Sequence, residues 1–297
     1  MNKNFQKIIG GFLAFIFVFS SVIWFSIEKK RDDNTMVSVA AAPANNDIAP
    51  IDNSIAEHVL LSVPDVTTKD GIRELMLNST DYFQTVSGEF IYSMNDAEGD
   101  VFILSLECDI DASTAETHVM QVYPTNLTEV KEGMHPVYKE DDVPWARTQI
   151  ADGTEWVLTD DLTGGVVAAG EVVTRDQLIH EPLEKRFYMN EDGTSSSVLR
   201  ADPTNTYFAR RILTPEEIAF SLLCSSDEWD IIDMEEYAGR ECVVVSGKSP
   251  DFYIEKNGVV TFKMYVDKNT GILLKFVGLD ERNQIVKFTY TNKIEIS

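Results

Sequence analysis

The chain has 297 residues, 44% hydrophobic and 25% charged, enough apolar mass for one substantial core. Its 25 Lys and Arg stand against 49 Asp and Glu, a formal net charge of −24. That imbalance excludes DNA and RNA as partners, because their affinity grows from phosphates neutralised by Lys and Arg.

The first informative stretch is IIGGFLAFIFVFSSVIWFSI, from Ile8 to Ile27, without a charge over twenty residues. At 1.5 Å rise per residue it is long enough for a hydrocarbon layer of about 30 Å. A secretory signal has a shorter apolar region with a small-residue cleavage site close behind it. Here Glu28, Lys29, Lys30, Arg31, Asp32 and Asp33 follow at once, and the alanines at 40–42 lie well downstream. The segment therefore reads as an uncleaved transmembrane anchor, with residues 1–31 forming a short cytoplasmic tail plus the span. Lys3 and Lys7 face Lys29, Lys30 and Arg31 across it, so the positive-inside rule does not fix the orientation. The acidic remainder argues for an extracytoplasmic position: residues 32–297 carry 20 basic and 48 acidic side chains. Only seven residues precede Ile8, so any signal is expected to pass through a second membrane or envelope protein.

Residues 32–64 are rich in Ala, Asn, Asp and Pro without a sustained period, the composition of a flexible tether. The folded region, 65–297, opens on TTKDGIRELMLNSTDYF, where Asp70 is placed to cap a helix carrying Ile72, Leu75 and Met76. Period-two strands follow at 86–94, 101–110 and 117–123, with NDAEGD at 95–100 as a hairpin turn. Weaker strands are expected at 153–159 and 165–173. Thr214, Pro215, Glu216 and Glu217 together predict a capped helix to about Ser225, with Ile218, Ala219, Leu222 and Leu223 inward. Strands at 229–234 and 241–246 and a short helix at 250–256 lead to the strongest signal, VVTFKMYVDKNTGILLKFVGLDERNQIVKFTYTNKIEI. Phe262, Met264 and Val266 share a parity, as do Ile272, Leu274 and Phe276, and Val286, Phe288 and Tyr290. Turns at Asp267–Gly271 and Asp280–Asn283 make this an antiparallel meander. The fold class is mainly β (α+β), about ten strands in a curved antiparallel sheet covered by a few helices.

Chemistry is sparse. His58, His118, His135 and His180 show no metal-ligand spacing, and no metal or cofactor is implied. The SxxK at Ser26–Lys29 sits at the membrane edge without the remaining elements of such a site, and no catalytic motif accompanies it. Cys108 has the parity of a buried apolar residue; Cys224 and Cys242 are open to a disulfide or to free thiols. The acidic clusters at 227–230 and 233–236 read as solvated faces.

The passage LMLNSTDYFQTVSGEF, the TPEE helix and the final GVVTFKMYVDKNTGILLKFVGLDERNQIVKF together resemble the LolA/RseB superfamily of envelope lipoprotein carriers and stress-response regulators. The resemblance implies an incomplete antiparallel barrel around helices, with an apolar hollow for acyl chains, in a membrane-anchored envelope protein. Two departures are an anchor that a freely diffusing carrier would not keep and the lack of a small second domain of the RseB kind. With curvature of that sort, one face carries Phe90, Tyr92, Phe102, Leu104, Phe262, Met264, Leu274, Phe276 and Phe288. Helices fill that hollow or it holds a ligand; both readings stand at this point. The implied function is a regulatory or chaperone-like binding module, its partners another envelope protein (an anti-sigma factor or a cell-wall enzyme) or an acyl chain or lipoprotein. The alternative is a cell-envelope hydrolase built from scattered acidic residues.

Overall fold

In the computed structural model the described residues are 60–95, 101–123, 143, 145–172, 180, 182–189, 195–200 and 208–297. The apolar span at 8–27, the tether as far as residue 59, residues 96–100 of the NDAEGD turn, His58 and His135 lie outside them. Among the described residues no helix is long and apolar enough to cross a membrane.

Helix α1, Lys69–Leu77, opens the fold. Its cap is Thr68, whose Oγ1 accepts from Gly71 N at 3.0 Å, whereas Asp70, expected as the cap, sits in the first turn and pairs with Arg73 at 3.2 Å. A 3-10 turn, Ser79–Asp81, leads to strands β1 Thr85–Asn95, β2 Val101–Asp111, β3 Glu116–Tyr123, β4 Trp145–Asp152, β5 Glu155–Asp160 and β6 Gly165–Glu171. Next come α2 Leu183–Arg186, the small pair β7 Phe187–Met189 and β8 Ser195–Ser197, α3 Arg210–Leu213 and α4 Glu216–Leu222. The chain finishes with β9 Trp229–Tyr237, β10 Arg240–Lys248, α5 Asp251–Asn257, β11 Thr261–Asp267, β12 Leu273–Leu279 and β13 Ile285–Ile296.

Eleven strands form one sheet in the order β6-β5-β4-β3-β2-β1-β13-β12-β11-β10-β9, and it does not close. The chain steps outward from β1 to β6, crosses through the helical segment, and steps inward from β9 to β13. The first and last strands thus meet in the middle, with Val86 opposite Ile296 and Tyr92 opposite Thr289. This is the incomplete antiparallel barrel with a few helices that the resemblance implies.

Aspartates head the reversals. Asp111, Asp152, Asp160, Asp267 and Asp280 each use Oδ1 to accept from backbone N–H groups two to four residues on. Part of the acidic excess is therefore turn chemistry, each carboxylate supplying an acceptor that the reversing backbone lacks. At the β11–β12 turn Asp267 is fully buried, accepts from Asn269 N, Thr270 N and Thr270 Oγ1, and pairs with Arg240.

Helices α1 and α4 lie on what we term the inner face. Ile72, Met76, Leu77, Ile218, Ala219, Leu222 and Leu223 pack there with Trp229, Val243, Val245, Phe262, Met264, Val266, Leu273 and Phe276. Arg73 locks the two helices together by donating to Leu223 O at 2.7 Å, at the carbonyl end of α4, and to Ser226 Oγ at 2.8 Å. The capping box expected at 214–217 does not form. Thr214 Oγ1 donates back to Arg210 O at 3.0 Å, and Glu216 turns inward to Arg186 and Arg210.

Gly271 completes the β11–β12 turn with φ +78°, and a Cβ there would fall 2.4 Å from Leu75 O of α1. Turn and helix backbone are in direct contact, so neither strain nor clash can relax cheaply. Gly271→Ala should lower stability by well over about 1 kcal/mol in urea unfolding; an unchanged midpoint would show that α1 is free to move away.

Candidate functional site

The inner face divides into two halves with different chemistry. On β10–β12 the apolar residues are covered: Phe262 and Phe276 stack with centroids 6.4 Å apart beneath α1 and α4. Phe262, Met264 and Phe276, three of the nine residues expected to line a hollow, are therefore core.

Two others leave the set. Phe276 is opposite Thr289, so Phe288, opposite Val277, lies on the outer face, where it stacks on Tyr290 at 5.0 Å. Alternation within each strand was legible, but the phase between strands is set by the turn and its register shift at Gly278–Leu279. Leu274 sits at a second shift, which puts Leu273 instead opposite Val266. Leu274 is buried, but Leu273 belongs to the core cluster. The remaining outer face here is polar and aromatic. Lys275 lies 4.8 Å from the Tyr265 ring and 5.1 Å from Tyr237, and Glu235 accepts from Tyr265 Oη and Lys263.

The other half of the inner face, on β1–β5, holds Phe90, Tyr92, Phe102 and Leu104 together. Two cross-strand rows run through it: Leu106, Gln121, Arg147 and Asp160, then Cys108, Val119, Gln149 and Leu158. At one end lies an aromatic group, Phe102 edge-on to Tyr123 at 5.6 Å and Trp145 edge-on to Phe208 at 6.0 Å, with the Arg147 guanidinium 5.0 Å from the Trp145 ring. In the middle Gln121 Nε2 donates to Tyr92 Oη. Gln121 and Gln149 are 1% and 2% exposed, yet Oε1 of each meets no hydrogen-bond partner. Turning either amide over leaves one of its ends in the same position, because each side chain has both a donor and an acceptor end. Burial holds the Tyr92 hydroxyl in its neutral form, a donor and acceptor rather than an anion.

Asp, Glu and His side chains also converge beneath the helices. Arg186, fully buried, donates to Leu77 O, Asn78 Oδ1, Val198 O and Glu216 Oε1. Arg210 holds Glu216 Oε2 at 2.9 Å; Arg200 takes both oxygens of Asp81 at 2.7 and 3.0 Å, and His180 Nδ1 lies 2.8 Å from Asp81 Oδ2. Every carboxylate oxygen of Asp81 and Glu216 is engaged by a guanidinium. Burial works to raise the Asp81 carboxyl, but the bonds and charges of Arg200 and His180 prevail and hold it below its ordinary 3.8. This arrangement stabilises ionised carboxylates and offers no poised general acid or base; it is a clamp.

The thiols are equally quiet. Cys108, Cys224 and Cys242 are free, so the 224–242 pairing open to the sequence does not form. Burial pushes Cys108 and Cys242 up to about 12, which keeps them protonated. His118 is exposed on β3, and among the described residues no group of three or more His, Cys, Asp or Glu is arranged for a metal ion.

The class defined by this geometry is an open antiparallel sheet with one half of its inner face packed by helices. No protein-family model matches the chain, and no curated protein matches its sequence. Solved structures do. MucB of Pseudomonas aeruginosa, in its complex with MucA, is similar over 76% of this chain at 14% identity and a TM-score of 0.34. LprF of Mycobacterium bovis is similar over 76% of this chain and 91% of its own, at 11% identity and a TM-score of 0.33. A LolA superfamily protein of Nitrosomonas europaea is similar over 72% and 74%, at 8% identity and a TM-score of 0.20. The chain spans a little over half, 57%, of the MucB chain. These matches include the LolA/RseB-like group that the sequence motifs resemble. At such scores the likeness transfers no residue, ligand or partner.

Two measurements test the clamp. Glu216→Ala strands a buried guanidinium and should cost about 3–5 kcal/mol in denaturant unfolding, whereas an exposed pair would cost under about 1. Asp81, depressed in the folded state, contributes stability above pH 3.8 that is lost as pH falls through its lower folded value. Asp81→Asn should therefore flatten the acid limb of a stability–pH curve; an unchanged limb would assign acid sensitivity elsewhere.

Proposed function

We propose that the chain is a membrane-tethered binding module of the cell envelope, regulatory or chaperone-like, which takes a partner polypeptide or a lipidated peptide on the inner face of β1–β5. The carrying observation is the pair of buried, unpartnered amide ends on Gln121 and Gln149. Each lost hydrogen bond costs about 1–3 kcal/mol, so a face shaped for stability alone would hold apolar side chains there. A bound peptide supplies N–H donors at such positions and apolar side chains for the Phe102, Tyr123 and Trp145 end. A bare acyl chain supplies no donor, which favours a ligand containing peptide. The clamped carboxylates and protonated thiols favour binding over catalysis.

Tethering rests on the apolar residues 8–27 and on the acidity of the rest of the chain. In this reading the domain stands on the extracytoplasmic side, so protease added to intact cells should remove it, and protection until lysis would reverse the orientation.

The binding face is tested on the full chain in detergent with a fluorescent lipidated peptide, and in membranes by photocrosslinking from position 149. Saturable uptake or one specific crosslinked protein is expected. Gln149→Leu should leave the melting temperature unchanged or raised, because it removes an unpaired buried amide, while weakening binding at least tenfold. Absence of both uptake and a specific crosslink, or a Gln149→Leu chain that binds like the wild type, would overturn the proposal.

A further inference from the structure

Strand β9, Trp229–Tyr237, ends the sheet, and among the described residues no strand pairs with its far side. In an antiparallel ladder every second residue turns its N–H and C=O to the same neighbour. Glu241 O of β10 accepts from Lys268 N, just past β11, so Cys242 and Val244 turn to β9, where they oppose Glu235 and Asp233. The backbone groups of Met234 and Glu236 therefore point off the sheet. Met234 N accordingly donates to its neighbour's carboxylate, Asp233 Oδ1, at 2.8 Å rather than to β10. Two apolar side chains stand in water along the same stretch: Ile232, the unopposed residue of the β9 bulge, is 52% exposed and Met234 48%. An exposed and partly apolar edge of this kind is a template for another strand.

The charge on the edge selects what that strand is. Trp229–Tyr237 contains Asp230, Asp233, Glu235 and Glu236 and no Lys or Arg. Lys69 answers Asp230 at 2.7 Å and Lys263 answers Glu235 at 3.1 Å. Asp233 and Glu236 are exposed, and Glu236 faces a second carboxylate, Glu241, across the ladder. Lys69 also shows how a cation sits on this edge. From α1 its ammonium donates to Trp229 O and to Ser226 O at 2.6 Å while pairing with Asp230, so one positive group serves carbonyl and carboxylate together. Glu228 O accepts from Lys248 N on the β10 side, so Trp229 O belongs to the free edge. A second copy of the chain has no cations on its own edges: β9 is acidic, and β6, Gly165–Glu171, also lacks Lys and Arg. Carboxylates alone would make a solvated face; here they flank outward backbone groups and exposed apolar side chains.

We infer that the free edge of β9 is a docking site for a basic, extended segment of a partner protein, which adds to the sheet as a further strand. Its backbone pairs with Met234 and Glu236. Its Lys or Arg side chains lie beside Asp233 and Glu236, and its apolar ones beside Ile232 and Met234. Main-chain bonds supply the affinity of strand addition, and charge supplies the choice of partner. The strand order puts β9 and the β1–β5 face in opposite halves of the sheet, so failure of this site would leave the binding-module reading intact.

The test is fluorescence anisotropy of the full chain in detergent, at pH 7, with a labelled octapeptide of alternating Val and Lys. The control is the same peptide N-methylated throughout, which keeps the charge but removes the main-chain donors. Wild type should bind the first peptide saturably at one site per chain, and N-methylation should weaken binding about tenfold or more. Asp233→Lys combined with Glu236→Lys, at exposed positions where folding is not at risk, should weaken it as much while the melting temperature holds. Diffuse adsorption of a cationic peptide to a chain of net charge −24 would respond little to either change. No saturable binding, equal binding of the N-methylated peptide, or wild-type affinity in the folded double variant overturns the inference. If the double variant unfolds, the N-methylated peptide decides alone.

Discussion

A single buried guanidinium, that of Arg186, ties the helical layer together. Its donors reach the end of α1 through Leu77 O and Asn78, the β8 region through Val198 O, and α4 through Glu216. None of these segments is long: α2 has four residues, α3 four and α4 seven. Helices of that length do not hold together from propensity alone and need tertiary contacts. The arginine supplies them with a planar fork whose donors point in fixed directions, which a lysine could not do. The layer in turn shields the aromatic side chains of β11 and β12 from water.

This clamp also determines which half of the sheet is occupied. With α1 and α4 seated over β10–β12, Phe262, Met264 and Phe276 become ordinary core. The β1–β5 half keeps a mixed lining in which apolar side chains alternate with Gln121, Arg147 and Gln149. Lys287 marks the boundary, held from α5 by Asn257 and the Tyr253 ring. An open sheet allows this division because its inner face need not be filled uniformly, whereas a small closed barrel packs its interior with side chains throughout.

The negative charge has a structural explanation as well as an exclusionary one. Five of the aspartates serve as turn acceptors, and Asp81, Glu216 and Asp267 are buried opposite arginines. The outer face uses charge differently, setting Lys263 and Lys275 against tyrosine rings with Glu235 between. Cations over aromatic faces stabilise modestly at exposed positions, and here they also cover apolar ring surface on a wet side of the sheet.

Much of the fold was legible in the residues. Period-two alternation located β1–β3 and the closing meander, and the turns headed by Asp267 and Asp280 fixed its two reversals, because both signals depend on neighbours in sequence. Strand β4 was not legible for the converse reason: its inward residues are Trp145, Arg147, Gln149 and Ala151, and its outward ones include Ala146 and Ile150, so the usual polarity is inverted. That same inversion hid the candidate site, since Gln121 and Gln149 carry meaning only once burial and the lack of a partner are known. Of the nine residues expected on one greasy face, Phe90, Tyr92, Phe102 and Leu104 come together on one half and Phe262, Met264 and Phe276 go to the core of the other. Phe288 moves to the outer face through the register at Val277. The sequence by itself determined most of the strands, the turns of the closing meander and the charge, which are local. Only the tertiary structure decided which face each strand shows and which arginine meets which carboxylate, because those depend on the phase between strands and on contacts between separate elements, such as that of Arg200 with Asp81.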